Sequence, residues 1–472
     1  MKTSKTSFLT LGLVALATFP AIAQVDPNDR IKELEKRLEQ LDQKYRALEQ
    51  RLDTNSDLIA EKVKQTPLVS IGKDGFKLQS EDGNFKLSLR EVLQFDSRAF
   101  INNVGGAPSV DSFLIRRARP ILEGTVYRDF DFFFMPDFGG GGSGTASPTI
   151  YDAWVNYRLT PEVQFEFGKF KAPLGLERLQ TDQFLEFNER GLTANLEPDR
   201  EIGVKLHGAW RDGVLNYDLG IVNGVADAQG SSLEADGDNF KDFEGRVFAH
   251  PFRSTKIEAL RGLGVGLGGT YGQHQGTGLN ALTTGYVTDG QQKFFTYATG
   301  VGGSGDQWHL APQAYYYYGP FWLLGEYTVS DQQLASGKSK IDAQNTAWQI
   351  EGGYVLTGED ATYYGVKPAR PFDPLHGGGW GGFEIVGRYG QLEVDHKVFS
   401  PFTGAPTGFA SAGSAREANA FSLGLNWYWN NNIRFSVDYA HTTFGGIAGS
   451  SASIPVTKGD ENVIISRVQL AF

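Results

Sequence analysis

Four consecutive residues, Arg116-Arg117-Ala118-Arg119, are the densest basic spot in this chain of 472. Guanidinium groups are rigid forks of N–H donors that match the paired oxygens of an oxyanion. Three of them in a narrow space would hold a phosphate-like anion. They could equally be neutralised from within by Asp129, Asp131 or Asp152, and spacing alone does not choose. Other chemistry is scarce. The absence of cysteine removes thiolate metal sites, thiol nucleophiles and disulfides. The histidines (207, 250, 274, 309, 376, 396 and 441) are scattered and no nucleophile elbow accompanies them, which argues against an enzyme. Gly262 to Gly269 imitates a nucleotide loop only in letters. Gly262, Gly264, Gly266 and Gly268 alternate with Leu263, Val265 and Leu267, so the segment reads as a strand with one bare face that leaves room for something beside it. Glu234 to Asp238 resembles part of a calcium loop but lacks the glutamate at the twelfth position. No metal or other cofactor is expected.

The elements that must position these arginines are strands. Ile464, Val468, Leu470 and the terminal Phe472 oppose Ile465, Arg467, Gln469 and Ala471, the period-two pattern of a ribbon with one oily and one mostly polar face. Phe85, Leu87, Leu89, Leu93 and Phe95 likewise oppose Lys86, Ser88, Arg90, Gln94 and Asp96, and Tyr151, Ala153, Val155, Tyr157 and Leu159 oppose Asp152, Trp154, Asn156 and Arg158. No helices are available to cover the oily side. Lipid can cover it if the sheet closes and leaves no edge unpaired. The pattern predicts an all-β, antiparallel transmembrane barrel of about sixteen strands. Thr160-Pro161, Gly319-Pro320 and Asn430-Asn431-Asn432 are expected as tight turns. The segments 225–239, 275–290, 357–380 and 398–416 are expected as long outer loops. Tyr315 to Tyr318, Phe321-Trp322 and Trp427-Tyr428-Trp429 are expected in the interfacial aromatic belts. On a regular strand Arg117 and Arg119 share a face with Phe113, Ile115 and Ile121, and Arg116 faces the other way. A charge in the lipid-facing band costs about 2–4 kcal/mol, so Arg116 sits at an interface, on a bulge, or the facing is reversed.

Three segments are expected. Residues 1–23 read as a secretory leader, with Lys2 and Lys5, a short apolar run and Ala21-Ile22-Ala23 as a cleavage site. In 24–66, Ile31, Leu34, Leu38, Leu41, Tyr45, Leu48 and Leu52 recur at alternating steps of three and four, a coiled-coil seam that predicts self-association. Residues 67–472 are the barrel. The formal charge of −11, lower by two once Lys2 and Lys5 leave with the leader, argues against a nucleic-acid partner. The mean hydropathy of −0.31 fits a β-barrel and not a helical membrane protein.

A family resemblance spans Phe85 to Phe472. Phe113 to Gly124 with Tyr127-Arg128-Asp129, Tyr151-Asp152-Ala153, Phe167-Gly168-Lys169-Phe170, Gly175-Leu176-Glu177-Arg178, Leu356-Thr357-Gly358-Glu359 and Leu423 to Tyr428 resemble the phosphate-selective porin O and P family. The resemblance implies a trimer of sixteen-stranded barrels in the Gram-negative outer membrane. It also implies passive diffusion of small anions such as phosphate, and a third loop, Lys171 to Asp199, folded inward to narrow each pore. It places Arg116, Arg117, Asp152 and Arg178 at the constriction. Two departures follow from it. A first-strand arginine of the family falls on Val92, with Arg90 two residues earlier on the same face, and a constriction tyrosine is replaced by Arg119. The basic site is kept but reshaped, which favours general anion passage over phosphate selectivity. A non-selective diffusion porin is the first alternative. A tether reaching peptidoglycan through the coiled coil is another.

Overall fold

The computed structural model describes residues 26–65, 67–72, 75–101, 110–140, 148–231, 236–276, 285–401, 405, 407–449 and 458–472. The expected leader and the first half of the acidic run, Glu234-Ala235, lie outside the described residues. The chain divides into two compact units, 1–66 and 67–472. The first contains one helix, α1 (Pro27–Gln65). At 1.5 Å per residue it is about 58 Å long. Its stripe of Ile31, Leu34, Leu38, Leu41, Tyr45, Leu48 and Leu52 is exposed throughout.

The second unit opens with a hairpin, β1 (Leu68–Gly72) and β2 (Gly75–Gln79). Sixteen strands then form the wall. They are β3 (Lys86–Phe100), β4 (Ser112–Val126), β5 (Phe130–Asp137), β6 (Thr149–Thr160), β7 (Val163–Lys171), β8 (Arg200–Trp210), β9 (Leu215–Val222), β10 (Asp242–Ala249) and β11 (Leu263–Gly276). After a small loop hairpin, β12 (Gly285–Val287) and β13 (Lys293–Thr296), come β14 (Val301–Tyr318), β15 (Phe321–Ser336), β16 (Ser339–Val355), β17 (Gly382–Glu393), β18 (Ala415–Tyr428), β19 (Ile433–Ile447) and β20 (Glu461–Ala471). Each wall strand pairs antiparallel with the next. β20 returns to β3 in the register Ala471↔Val92 to Val463↔Phe100, which closes the barrel. Closure gives each wall strand a partner on both sides, the condition for a sheet to span lipid. Alternation sorts the faces as the sequence predicts. Leu89, Leu93, Phe95, Leu323, Leu423 and Leu425 are exposed on the outside, whereas Gln94, Asp96 and Arg98 are buried inside. Among the described residues no helix is long and apolar enough to cross a membrane.

One open alternative is resolved and two expectations are corrected. First, β3 and β4 pair Gln94 with Arg117 and then Phe95 with Ile115, so Arg116 is the extra residue of a β-bulge. The bulge reverses the facing: Phe113 and Ile115 are exposed outside while Arg117, Arg119 and Ile121 are buried inside. It also turns Arg116 away from lipid. Second, the segment 356–381 is not an outer loop. It joins β16 to β17 at the barrel end that carries both termini of the wall. The outer connection before it is only Gly337-Lys338, with Gly337 at φ 61°. Third, the aromatic run divides between the two faces. Tyr318 and Phe321 are exposed outside, but Trp322 is 1 % exposed, and Tyr315 and Tyr317 pack inward with it, Phe187 and Tyr363.

Candidate functional site

The third loop, 172–199, leaves the far end of β7, descends into the bore and returns to β8. It contains a helical turn, α2 (Leu176–Leu179), and a 3₁₀ turn at Leu192–Leu196. Every wall from β14 round to β3 holds it. Leu176 N–H donates to Glu326 Oε2 at 2.7 Å, and Gln313 donates to the Leu174 carbonyl at 2.6 Å. Arg388 donates to Glu177 at 2.9 Å and Arg434 to the Leu185 carbonyl at 2.7 Å. Asn188 N–H donates to Asp438 at 2.5 Å, and Gln94 donates to the Asp182 carbonyl at 3.3 Å. The bare face of β11 receives it too. A Cβ on Gly268 would lie 2.8 Å from the Leu174 carbonyl oxygen, so only glycine lets the loop backbone approach there.

The arginines of β4 meet this loop. Arg116 forms a two-pronged pair with Glu189, Nε to Oε1 at 2.6 Å and Nη2 to Oε2 at 2.9 Å. Arg117 donates to Gln94 at 2.6 Å and lies 3.5 Å from Asp182. Arg119 pairs with Asp137 at 2.7 Å and also with Asp182. Arg190 reaches the same Asp182 at 2.7 Å. Internal pairing is therefore real, but Asp129, Asp131 and Asp152 are not the partners. Asp131 pairs with Arg158 at 2.9 Å and Asp152 with Arg200 at 3.3 Å. Arg178 braces the loop itself, pairing with Asp199 at 3.0 Å and donating to the Ala194 carbonyl. Arg90 stands apart toward the terminal end, 3.1 Å from Glu123.

Burial acts to neutralise the loop carboxyls, but the arginines outweigh it at some of them. Burial raises the Asp182 carboxyl; Arg117, Arg190 and Arg119 together hold it well below its ordinary range. Glu189 is held low in the same way against burial by Arg116, Arg98 and Arg117. Glu197 goes the other way. Burial and then the neighbouring Glu326 push it well above the usual range, only partly opposed by Arg178.

A second bulge supplies a residue that sequence reasoning did not select. β5 and β6 pair Met135 with Asp152 and then Pro136 with Ile150, which leaves Tyr151 as the extra residue. Its ring lies between two guanidinium groups, Arg119 at 3.8 Å and Arg200 at 3.7 Å from the centroid, each contact being worth about 0.5–2 kcal/mol. Its hydroxyl donates to Asp199 at 3.1 Å. Its only sequence signal was the Tyr151-Asp152-Ala153 motif.

These groups line three cavities in the bore. A far cavity of about 470 Å³ is lined by Arg116, Arg117, Arg119, Arg178 and Arg190 with Asp137, Glu189 and Asp199. A middle cavity of about 380 Å³ shares Arg119 with it and includes Arg90, Asp152 and Lys171. A third, of about 360 Å³, opens at the terminal end beside Asn431 and Phe472 and shares Arg90, Phe184 and Tyr364 with the middle one. The middle and terminal cavities are thus separated by Phe184 from the third loop and Tyr364 from the 356–381 segment, whose rings meet edge-on at 6.0 Å. That segment is a second inward intrusion: the Tyr363 hydroxyl donates to the Leu176 carbonyl at 2.5 Å.

One buried chain imitates a catalytic relay. Thr270 Oγ1 lies 2.6 Å from His309 Nδ1, and His309 Nε2 lies 2.9 Å from Asp227. Asp227 also accepts from Ser330, Gln332 and Tyr286. It ties residues 223–231 to the wall and faces no cavity described above.

A closed sixteen-stranded barrel with a lipid-facing apolar exterior and a loop-narrowed polar bore defines an outer-membrane porin. The chain belongs to the phosphate-selective porin O and P family, whose model matches residues 85–472. It is similar to Porin O of Pseudomonas aeruginosa, with 24% identity over 425 residues, 85% of this chain and 91% of that protein. The outer membrane channel DcaP of Acinetobacter baumannii has a similar fold, with a TM-score of 0.52 at 12% identity over 84% of this chain and 99% of that one. The protein resides in the Gram-negative outer membrane as a porin.

Proposed function

We propose that this porin passes small anions, phosphate among them, by diffusion through an arginine-lined constriction at the third loop. The observation that carries the reading is the lining of the far cavity, where five arginines face three carboxylates. Arg117, Arg119 and Arg178 attract the anion, Arg116 adds to the same field, and Arg90 continues it toward the terminal mouth. Asp152, paired with Arg200, keeps the site from holding its ion, because a channel must release as well as bind. The termini face the periplasm. The exposed stripe of α1 supports a coiled coil that joins three copies.

Reversal potentials in a KCl gradient across planar bilayers test this. Neutralising Arg117 and Arg178 together lowers the chloride preference, and an unchanged potential removes these residues from the selectivity site. One observation favours a second reading, the general diffusion porin. Each of the five arginines is already within 4.0 Å of a carboxylate, so the positive excess is small.

A further inference from the structure

The middle cavity has a wall that simple ion passage does not explain. Lumen-facing positions of an aqueous barrel are ordinarily polar. Here β3 to β6 turn Val92, Ile121, Met135, Phe133 and Trp154 into the cavity. They form one continuous surface. Val92 lies opposite Arg119 and Ile121 opposite Arg90 across β3 and β4. Phe133 lies opposite Trp154 across β5 and β6, their rings stacked at 5.2 Å and 8°. Val92, Ile121 and Met135 pack as a cluster with Phe133 against them.

Beside this surface stands a basic side chain. The Lys171 amino group, at the end of β7, donates to the carbonyls of Leu179 at 3.1 Å and Gln180 at 2.8 Å. It forms no ion pair with a carboxylate among the described residues. In its charged form the group has three N–H donors, and an incoming carboxylate, which favours that form, would take the third. Three of the carboxylates lining the cavity are already paired: Asp152 with Arg200, Glu166 with Lys205, and Asp182 with Arg119. Asp218, the remaining one, is on β9.

We propose that this cavity is a binding site for organic monocarboxylates with a compact apolar body, of the size of benzoate. The carboxylate sits on Lys171 and Arg119, and the ring lies on the Val92, Ile121 and Met135 surface. The volume of about 380 Å³ is within the range of small-molecule pockets. Inorganic phosphate gains nothing from such a wall, since its hydrated oxygens would lose water against carbon. The inference rests on the anion-channel reading and names the solute class that channel favours.

The test is block of chloride current through the full-length protein in planar bilayers at pH 7.5, comparing acetate, benzoate and phosphate. Benzoate is expected to half-block at a concentration about tenfold lower than acetate, because a ring buries far more apolar area than a methyl group. Ile121→Asn with Met135→Gln should bring benzoate and acetate within about twofold of each other, since the polar wall no longer gains from the ring. Val92→Thr is the milder second variant should the double one not insert. Lys171→Met should weaken block by both carboxylates. Equal block by benzoate and acetate in the unaltered protein, or a tenfold gap that survives in the polar-wall variants, overturns the proposal while leaving the channel reading intact. Absence of chloride current overturns both.

Discussion

Asp182 is the residue whose removal most directly exposes how the constriction is charged. It receives Arg119, Arg190 at 2.7 Å and Arg117 at 3.5 Å. Although burial works to neutralise it, these arginines keep it ionised at neutral pH. Asp182→Asn retains its shape and removes one negative charge from between the far and middle cavities. A unit charge roughly 6 Å from the path of a permeating anion acts with about 0.7 kcal/mol at the dielectric of water and about 2.8 kcal/mol at an effective value of 20. A change of ~1 kcal/mol is roughly a fivefold change in relative permeability. The variant should therefore raise the chloride-to-potassium permeability ratio about fivefold at low salt, and less at 1 M, where the Debye length is about 3 Å. The third loop should stay in place, because its anchors at Glu326, Asp438, Gln313 and Arg434 do not involve the Asp182 carboxylate. Heat-dependent gel mobility verifies that the barrel has folded. A permeability ratio unchanged within about twofold, or shifted toward potassium, would refute the argument that the loop carboxylate offsets the arginines.

Four further outcomes are expected. Asp182 and Glu189 are depressed below their usual 3.8 and 4.5, so the stability they lend is present above those values and lost only as pH falls through the lower folded ones. Neither group should then titrate between pH 7 and pH 5, so a bilayer pH series of selectivity over that window should have the same shape in Asp182→Asn as in the unaltered protein; a sigmoidal change that the substitution removes contradicts the assignment. Glu197 is raised, so what it lends is present at low pH and lost as pH rises through its folded value; raising the pH, not lowering it, should loosen the loop, as read by current noise. Tyr364→Ala opens the partition with Phe184 and should raise single-channel conductance by up to about twofold, whereas an unchanged conductance places Tyr364 outside the path. Leu41→Asp with Leu48→Asp on α1 removes two seam positions, each worth about 1.5–3 kcal/mol when buried, and should lower the temperature at which the oligomer dissociates on gels; an unaltered temperature means the helix does not join copies.

The barrel was legible because lipid imposes one rule on every strand. Leu89, Leu93 and Phe95 alternate with Arg90, Gln94 and Asp96, and the structure sorts them as the alternation requires. What alternation cannot show is a one-residue insertion. Both bulges, at Arg116 and Tyr151, look like ordinary strand in the sequence. Only the energetic conflict of a lipid-facing arginine marked the first, and nothing of that kind marked the second, because a tyrosine is acceptable on either face. The side of the 356–381 segment was missed for a different reason. The outer turn before it is the two residues Gly337-Lys338 inside a long polar-apolar run, and overlooking one turn reverses the assignment of the next connection. Arginine partners were legible in type and not in identity. Asp129 and Asp131 are close in sequence, but Asp182 and Glu189 are brought in by a loop whose course depends on anchors spread from β14 to β20.

The most direct test is the zero-current potential of the unaltered protein across a bilayer separating dilute from concentrated KCl. Chloride should carry the larger share, giving a potential of the sign set by anion flow down its gradient and a further drop in chloride current when phosphate is added. A potential of the opposite sign, or a bilayer that stays electrically silent with folded protein inserted, contradicts the account.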